Sequence, residues 1–331
     1  MNSLSIGKIR GLQQLANPKG ILVTCAIDHR DSLKRAMNQE YPESVSYQDI
    51  VDFKLDLCRA VEPFASAILL DPVYGAAQAI AAGVLSGHVG LLVSMEETGY
   101  TGGKTHRLTT LLADWNVAKA KRIGASAVKL LLYYRPDLKD IASRQLDLVT
   151  KLADQCIEED IPLLVEPLSY PIETEEHYFQ EFAKLKPHLV IETARQVTAL
   201  PLDVLKAEFP ADLNYEKDEG KMAELCQQLN EVSRVPWILL SAGLDFELFS
   251  KEVEIACKAG ASGFLAGRAL WQEAAQIGSR TERMRFMETV SAQRLRQLAE
   301  VASAYGTPWF SKLGADKDEF TPITQEWYKS Y

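Results

Sequence analysis

Two lysines stand where a lysine is costly. Lys129 lies in SAVKLLLYY and Lys206 in LDVLKAEFP, each inside an otherwise apolar run. An ammonium group buried without a partner is strongly disfavoured. Two of them close together in a poorly hydrated pocket disfavour each other's charge, and a lysine that sheds its proton near neutral pH becomes a nucleophile toward a carbonyl. Between them in the chain lies Glu166, in LLVEPLSY. A carboxyl group in such a pocket is expected to have a raised pKa and to shuttle protons, as carbonyl chemistry requires. The plainer alternative has both lysines pointing outward with their heads in water and Glu166 serving as a structural ion-pair partner.

Other groups fall into place around these three. Asp28, in AIDHR, reads equally as an acceptor for substrate hydroxyls or as a cap for the next helix. Asp71, before a proline in LLDPVYG, reads as a turn or cap residue, and Glu96 and Glu97, in MEETGY, as loop anchors, with lining of the barrel mouth as the alternative. The segments SAG (241–243) and AGR (266–268) suit an anion: glycine lets backbone N–H groups approach it, and Arg268 adds a bidentate contact. The five histidines show no H-x-H or H-E-x-x-H spacing, so no metal or other cofactor is expected and carbonyl activation falls to lysine. An activated lysine, a carboxylate and an anion cradle together point to imine chemistry on a small-molecule sugar phosphate. The protonated imine draws electrons from the adjacent carbon, and cleavage of the next carbon–carbon bond leaves an enamine, a retro-aldol reaction.

The elements that must hold these groups are eight short apolar runs, at 21–28, 66–71, 89–96, 126–132, 161–166, 202–208, 237–243 and 263–269. Each is nearly continuously apolar, as a strand covered on both faces should be. The intervening segments read as helices: Ser46 and Asp49 form a capping signal, Leu146, Val149, Ala153 and Cys156 share a helical face, and Gly124 suits the end of a helix within 111–126. FASAILL, GASAVKLL and GASGFLAG repeat one small-residue junction before three of the strands. Alternation of this kind predicts an α/β fold with a parallel sheet, and eight units predict a (β/α)8 TIM barrel. A doubly wound open sheet is the rival, but neither G-x-G-x-x-G nor G-x-x-x-x-G-K-[ST] follows any strand. In a barrel the site forms at the C-terminal ends of the strands, which read here as Asp28, Asp71, Glu96, Lys129, Glu166, Lys206, Ser241 and Arg268. The whole chain, 1–331, is expected to be one such domain, with an irregular tail from about 305 that covers the barrel or a neighbouring subunit.

Composition narrows the partners. The 331 residues are 47% hydrophobic and 24% charged, with a net charge of −9, which gives no reason to expect nucleic acid. Five scattered cysteines without C-x-x-C spacing suit a reducing compartment. No apolar run is long enough for a spanning helix and MNSLSIGKIRGLQQL is not a signal peptide, so a cytoplasmic protein without a membrane partner is expected. A homodimer is the expected assembly.

Nine ordered stretches from roughly residue 10 to roughly residue 275 carry a resemblance: AIDHRDSLK, LLDPVYG, EETGY, KLLLYY, VEPLSY, AKLKPH, DVLKAE, LSAG and AGRALW. In these the chain resembles the class I tagatose 1,6-bisphosphate aldolases. The resemblance implies that Lys206 forms the Schiff base, that Lys129 is its companion lysine, that Glu166 is the acid/base and that Asp28 is the first-strand aspartate. It places Ser241, Gly267 and Arg268 on the phosphate next to the carbonyl, and Gly243 and Arg30 are grouped with them as substrate contacts. The expected reaction is reversible cleavage of D-tagatose 1,6-bisphosphate to dihydroxyacetone phosphate and glyceraldehyde 3-phosphate. Two departures stand out: DHR replaces the expected D-Q-R, so His29 stands for an amide, and the segment FPADLNYEKDEGKM after Glu208 is short. Both are expected near the distal end of the substrate. The chain is also similar to sulfofructose phosphate aldolases in VEP, ASGFLAGRA and WILLSAG, which leaves a sulfonated sugar as an alternative substrate. A phosphosugar isomerase or epimerase on the same barrel and a metabolite-binding regulatory protein are the rivals from other classes.

Overall fold

The eight apolar runs form eight parallel strands: β1 (Leu22–Ile27), β2 (Ala67–Leu70), β3 (Gly90–Ser94), β4 (Ala127–Tyr133), β5 (Leu163–Leu168), β6 (Val204–Ala207), β7 (Trp237–Leu240) and β8 (Gly263–Ala266). They are seen in a computed structural model that describes residues 4–172, 179–316, 320–329 and 331. Each strand pairs with its neighbours in sequence, and β1 pairs with β8, so the sheet closes into a (β/α)8 barrel. The continuous apolar runs follow from burial on both faces. Val23, Cys25 and Ile27 of β1 face the surrounding helices, while Leu22 and Ala26 face the barrel interior with Leu69, Leu92, Leu164, Val204, Ile238 and Leu265.

The local signals explain how the units join. Helix Tyr47–Val61 starts at Ser46, whose side chain accepts the Asp49 N–H while Asp49 accepts the Ser46 N–H. In helix Lys139–Glu158, Val149, Ala153 and Cys156 are buried and Leu146 packs at their edge. The segment at 111–126 is helical only over Val117–Arg122, because Asn116 caps its N-terminus by accepting the Lys119 N–H, and Gly124 ends it at φ 89°. The repeated junction places a serine before three strands. The N–H groups of Ser66, Ser126 and Ser262 donate to the carbonyls of Val23, Leu91 and Trp237 at 2.9, 2.8 and 2.7 Å. The Ser66 and Ser126 hydroxyls also accept the N–H groups of Val23 and Leu91.

Strand ends differ from the sequence reading in one respect that bears on the site. β4 and β5 pair over six registers, from Val128–Leu163 to Tyr133–Leu168, so Lys129 and Glu166 lie within strands rather than at their ends. At the opposite mouth, helix Ile6–Leu15 and Trp309 close the barrel: Ile9, Leu12, Leu15 and Trp309 pack into the interior cluster, and Phe310 and Phe320 flank Trp309. Residues 317–319 and 330 of the tail lie outside the described residues. Among the described residues no helix is long and apolar enough to cross a membrane.

Candidate active site

Side chains alternate along a strand, and this parity brings the polar groups together. Lys206 shares its face with interior Val204, Glu166 with Leu164, Lys129 with Ala127 and Asp28 with Ala26. All four line a cleft of about 420 Å³ at the C-terminal end of the barrel. Lys129 is 1% exposed and Lys206 5%, so neither reaches outward to water.

Glu166 joins the two lysines. Its Oε1 is 2.5 Å from Lys206 Nζ and its Oε2 is 2.8 Å from Lys129 Nζ. Lys129 also meets Asp28 at 2.9 Å and Glu96 at 2.7 Å. These surroundings separate the two amines. Burial disfavours the charge of both, but Asp28, Glu166 and Glu96 more than offset it for Lys129, whose pKa is raised well above the usual lysine value. For Lys206 burial prevails, helped by the Lys129 charge and opposed by Glu166, and its pKa is lowered.

Glu166 departs from the sequence expectation. Burial pushes its carboxyl up, but the Lys129 and Lys206 ammonium groups pull it down further, so its pKa is lowered rather than raised. It is held ionised, as a proton acceptor. Asp28 behaves alike: burial raises it, while Lys129, His29 and Lys206 together hold it far below the ordinary carboxylate value. Asp28 does not cap the next helix, Asp31–Met37, which has no side-chain cap at its N-terminus. Asp71 does act as a turn residue, accepting the Val73 and Tyr74 N–H groups, and it also pairs with buried Lys54, which donates to the Ile27 carbonyl.

The loops after β7 and β8 form one wall of the cleft. Ser241 Oγ accepts the Gly267 N–H at 3.2 Å and ties the two loops together. Ala242 and Gly243 have φ of 47° and 77°, and a Cβ on Gly243 would lie 2.6 Å from the Arg268 guanidinium carbon, so glycine there lets Arg268 lie flat against the backbone. Arg268 is half-buried and has no carboxylate partner among the described residues. An anion entering beside Ser241 would meet this unpaired guanidinium. Arg30 also lines the cleft; it donates to the Glu96 carbonyl at 2.6 Å and approaches the Glu97 carboxylate at 3.3 Å, spanning from the loop after β1 to the loop after β3.

Three sequence readings differ from where the structure places the residues. His29 packs edge-on to Trp271 with ring centroids 4.9 Å apart, and its Cε1 would lie 3.0 Å from a Cβ on Gly267, so it stands beside the Gly267–Arg268 wall. Burial and the charges of Arg268 and Lys206, against the pull of Asp28, lower its pKa to about 4 and keep it neutral. The segment after Glu208 contributes no described residue to the cleft wall. Glu96, read in the sequence as a loop anchor, is instead part of the charged cluster. The signal that finds it is parity: Leu92, Ser94 and Glu96 alternate onto one face, and Ser94 pairs in register with Lys129. Among the described residues no group of His, Cys, Asp and Glu converges so as to hold a metal ion.

Comparison with known proteins identifies the family. Residues 22–273 match the family described as DeoC/LacD family aldolase. The chain is 35% identical to tagatose 1,6-diphosphate aldolase 1 of Enterococcus faecalis over 95% of its own length and 100% of the relative's. It is 32% identical to tagatose 1,6-diphosphate aldolase of Listeria monocytogenes over 96% and 98%. Among solved structures it is similar in fold to an archaeal fructose 1,6-bisphosphate aldolase with its catalytic lysine bound to a carbinolamine intermediate, at 20% identity, a TM-score of 0.58 and coverage of 88% and 98%. It is also similar in fold to fructose-bisphosphate aldolase of Plasmodium falciparum, at 13% identity, a TM-score of 0.69 and coverage of 92% and 98%. With a family match over most of the barrel and relatives above 30% identity along nearly its whole length, the chain belongs to the DeoC/LacD family of aldolases.

Proposed function

We propose that this chain is a Schiff-base aldolase that reversibly cleaves D-tagatose 1,6-bisphosphate to dihydroxyacetone phosphate and glyceraldehyde 3-phosphate. The observation that carries the reading is the contact between Lys206 Nζ and Glu166 Oε1 at 2.5 Å in a buried pocket: an amine whose charge is disfavoured, beside an ionised acceptor for its proton. Neutral Lys206 attacks the ketone carbon, and the resulting carbinolamine loses water to give the iminium. Glu166 carries protons to and from the reacting groups. Abstraction of the hydroxyl proton at C4 breaks the C3–C4 bond, releases the aldehyde and leaves an enamine on Lys206, which takes a proton at C3 before hydrolysis frees the ketone. Lys129 and Asp28 hold and polarise hydroxyl groups along the chain. The phosphate next to the ketone rests against Ser241, Gly243, Gly267 and Arg268, and Arg30 contributes from the opposite loop.

The choice of sugar is supported by relatives named as tagatose 1,6-diphosphate aldolases in Enterococcus, Streptococcus, Staphylococcus and Listeria. The reading includes a homodimer in the cytoplasm, consistent with five free, buried cysteines. Borohydride reduction in the presence of dihydroxyacetone phosphate, followed by intact mass and peptide mapping, tests the mechanism, and the expected adduct lies on the peptide containing Lys206. Turnover without any adduct would revive an isomerase or epimerase. The ratio of kcat/KM for tagatose 1,6-bisphosphate, fructose 1,6-bisphosphate and sulfofructose 1-phosphate tests the substrate, and light scattering tests the dimer.

A further inference from the structure

The two lysines of the site are not equally surrounded. An ammonium group has three N–H donors and no acceptor, and for Lys129 all three are met by carboxylates, Glu96 at 2.7 Å, Glu166 at 2.8 Å and Asp28 at 2.9 Å. Among the described residues Lys206 meets one, Glu166. Glu166 touches both lysines, and Asp28 lies in the field of both. Glu96 pairs with Lys129 alone among the described residues. It is also fixed in place. Its second oxygen accepts the Leu131 N–H at 3.1 Å, two residues along β4 from Lys129, and its carbonyl accepts Arg30 at 2.6 Å.

We propose that Glu96 is the positioning residue that assigns the two lysines their roles, holding Lys129 as a cation and leaving Lys206 as the one amine able to attack the substrate carbonyl. The proposal rests on the Schiff-base reading above. Imine formation needs a free lone pair: the amine nitrogen bonds the carbonyl carbon, two protons leave the nitrogen and the oxygen departs as water. An ammonium with every N–H held by a carboxylate has no such lone pair to offer. The charged and titratable groups facing Lys129 are Asp28 after β1, Glu96 after β3, Glu166 on β5, Lys206 on β6 and the Tyr133 phenol on its own strand. Of the three carboxylates, Glu96 alone can be neutralised without also removing a charge that acts on Lys206.

Glu96→Gln keeps an oxygen for the Leu131 N–H and removes the charge. The test is trapping with dihydroxyacetone phosphate and borohydride, whose hydride reduces the C=N bond to a stable secondary amine, from about pH 6 to about pH 10 with peptide mapping at each pH. The wild-type chain should carry label on Lys206 alone throughout. Glu96→Gln should gain a second adduct on Lys129 on the alkaline side, reaching about a tenth of the total label, with the alkaline limb of its kcat profile moved about one pH unit toward neutral. Glu96→Asp, which keeps the charge, should return the label to Lys206. Label confined to Lys206 in Glu96→Gln, with an unchanged pH profile, would overturn the proposal. So would a Lys129 adduct in the wild-type chain, a result that needs no variant to fold. Wild-type turnover with no adduct on either lysine would instead remove the Schiff-base reading itself, and this inference with it.

Discussion

Lys129, Lys206 and Glu166 were legible in the sequence because a charged group inside an apolar run has few bland explanations, and the strand parity that turns them inward can be counted. Glu96 was legible only as a strand end, because it closes its run beside Glu97, and two adjacent carboxylates look like a solvated loop. The pKa direction of Glu166 was missed for a related reason: burial is visible in a sequence, but the presence of two ammonium groups on one carboxylate is not. Substituting Lys206→Met should abolish both turnover and the trapped adduct, and Glu166→Gln should lower kcat by roughly 10²–10⁴-fold, measured by coupled assay. His29 offers a test through stability. Its folded pKa of about 4 lies below the ordinary 6.5, so the unfolded chain binds the extra proton first as pH falls. The stability present above pH 6.5 is therefore lost as the pH falls toward 4. With 22% of the side chain open to solvent the loss should be on the order of 2 kcal/mol, and His29→Gln should flatten that part of a urea-midpoint profile.

Strands were easier to place than helix limits, because continuous apolar runs mark them whereas a helix start depends on which polar residue takes the cap. Helix Val117–Arg122 begins at Asn116, past the apolar residues that suggested an earlier start. The repeated serine junctions were visible as a pattern, but their purpose, bonding one strand's first N–H to its neighbour, required the register. Among helices, Phe246–Lys258 carries an anomaly in Glu252, 3% exposed, whose carboxyl is pushed up to about 8 by burial and by nearby Asp212 and Glu208, against Lys186. Its folded pKa lies above the unfolded value, so the stability it contributes is present below pH 4.5 and is lost as the pH rises through 8. Glu252→Gln should therefore raise stability on the alkaline side by something on the order of 3 kcal/mol, seen as a higher denaturation midpoint relative to wild type at about pH 8.5 than at about pH 4, each roughly half a unit outside that window. Ser46→Ala should cost about 1 kcal/mol through loss of the capping box.

At the level of the molecule, the barrel divides its labour between two mouths. Charge is concentrated at the C-terminal ends of the strands, and aromatic packing at the other, where Trp309 is 2% exposed and its backbone N–H donates to the Gly20 carbonyl at 2.9 Å. The closed barrel could be read from eight regularly spaced runs. The seating of the tail could not, because aromatic residues without periodicity say that they will be buried but not against what. Trp309→Ala should cost about 3–5 kcal/mol in unfolding free energy and leave kcat per folded molecule unchanged, since the cleft lies at the far mouth; a titration of active sites alongside thermal melting separates the two effects.

The alternation that aims Asp28, Glu96, Lys129, Glu166 and Lys206 inward also restricts how this chain can change over evolutionary time. Deleting one residue ahead of Lys206 within β6 would turn the lysine toward the helices and put Ala207 in its place facing the substrate. Substitutions can therefore drift freely on the outer faces, and insertions can accumulate in the loops. Within the strands, length can change only by even steps or together with a bulge that restores the count, so descendants of this sequence should keep the parity between each apolar run and its reactive residue even where nothing else in the run survives.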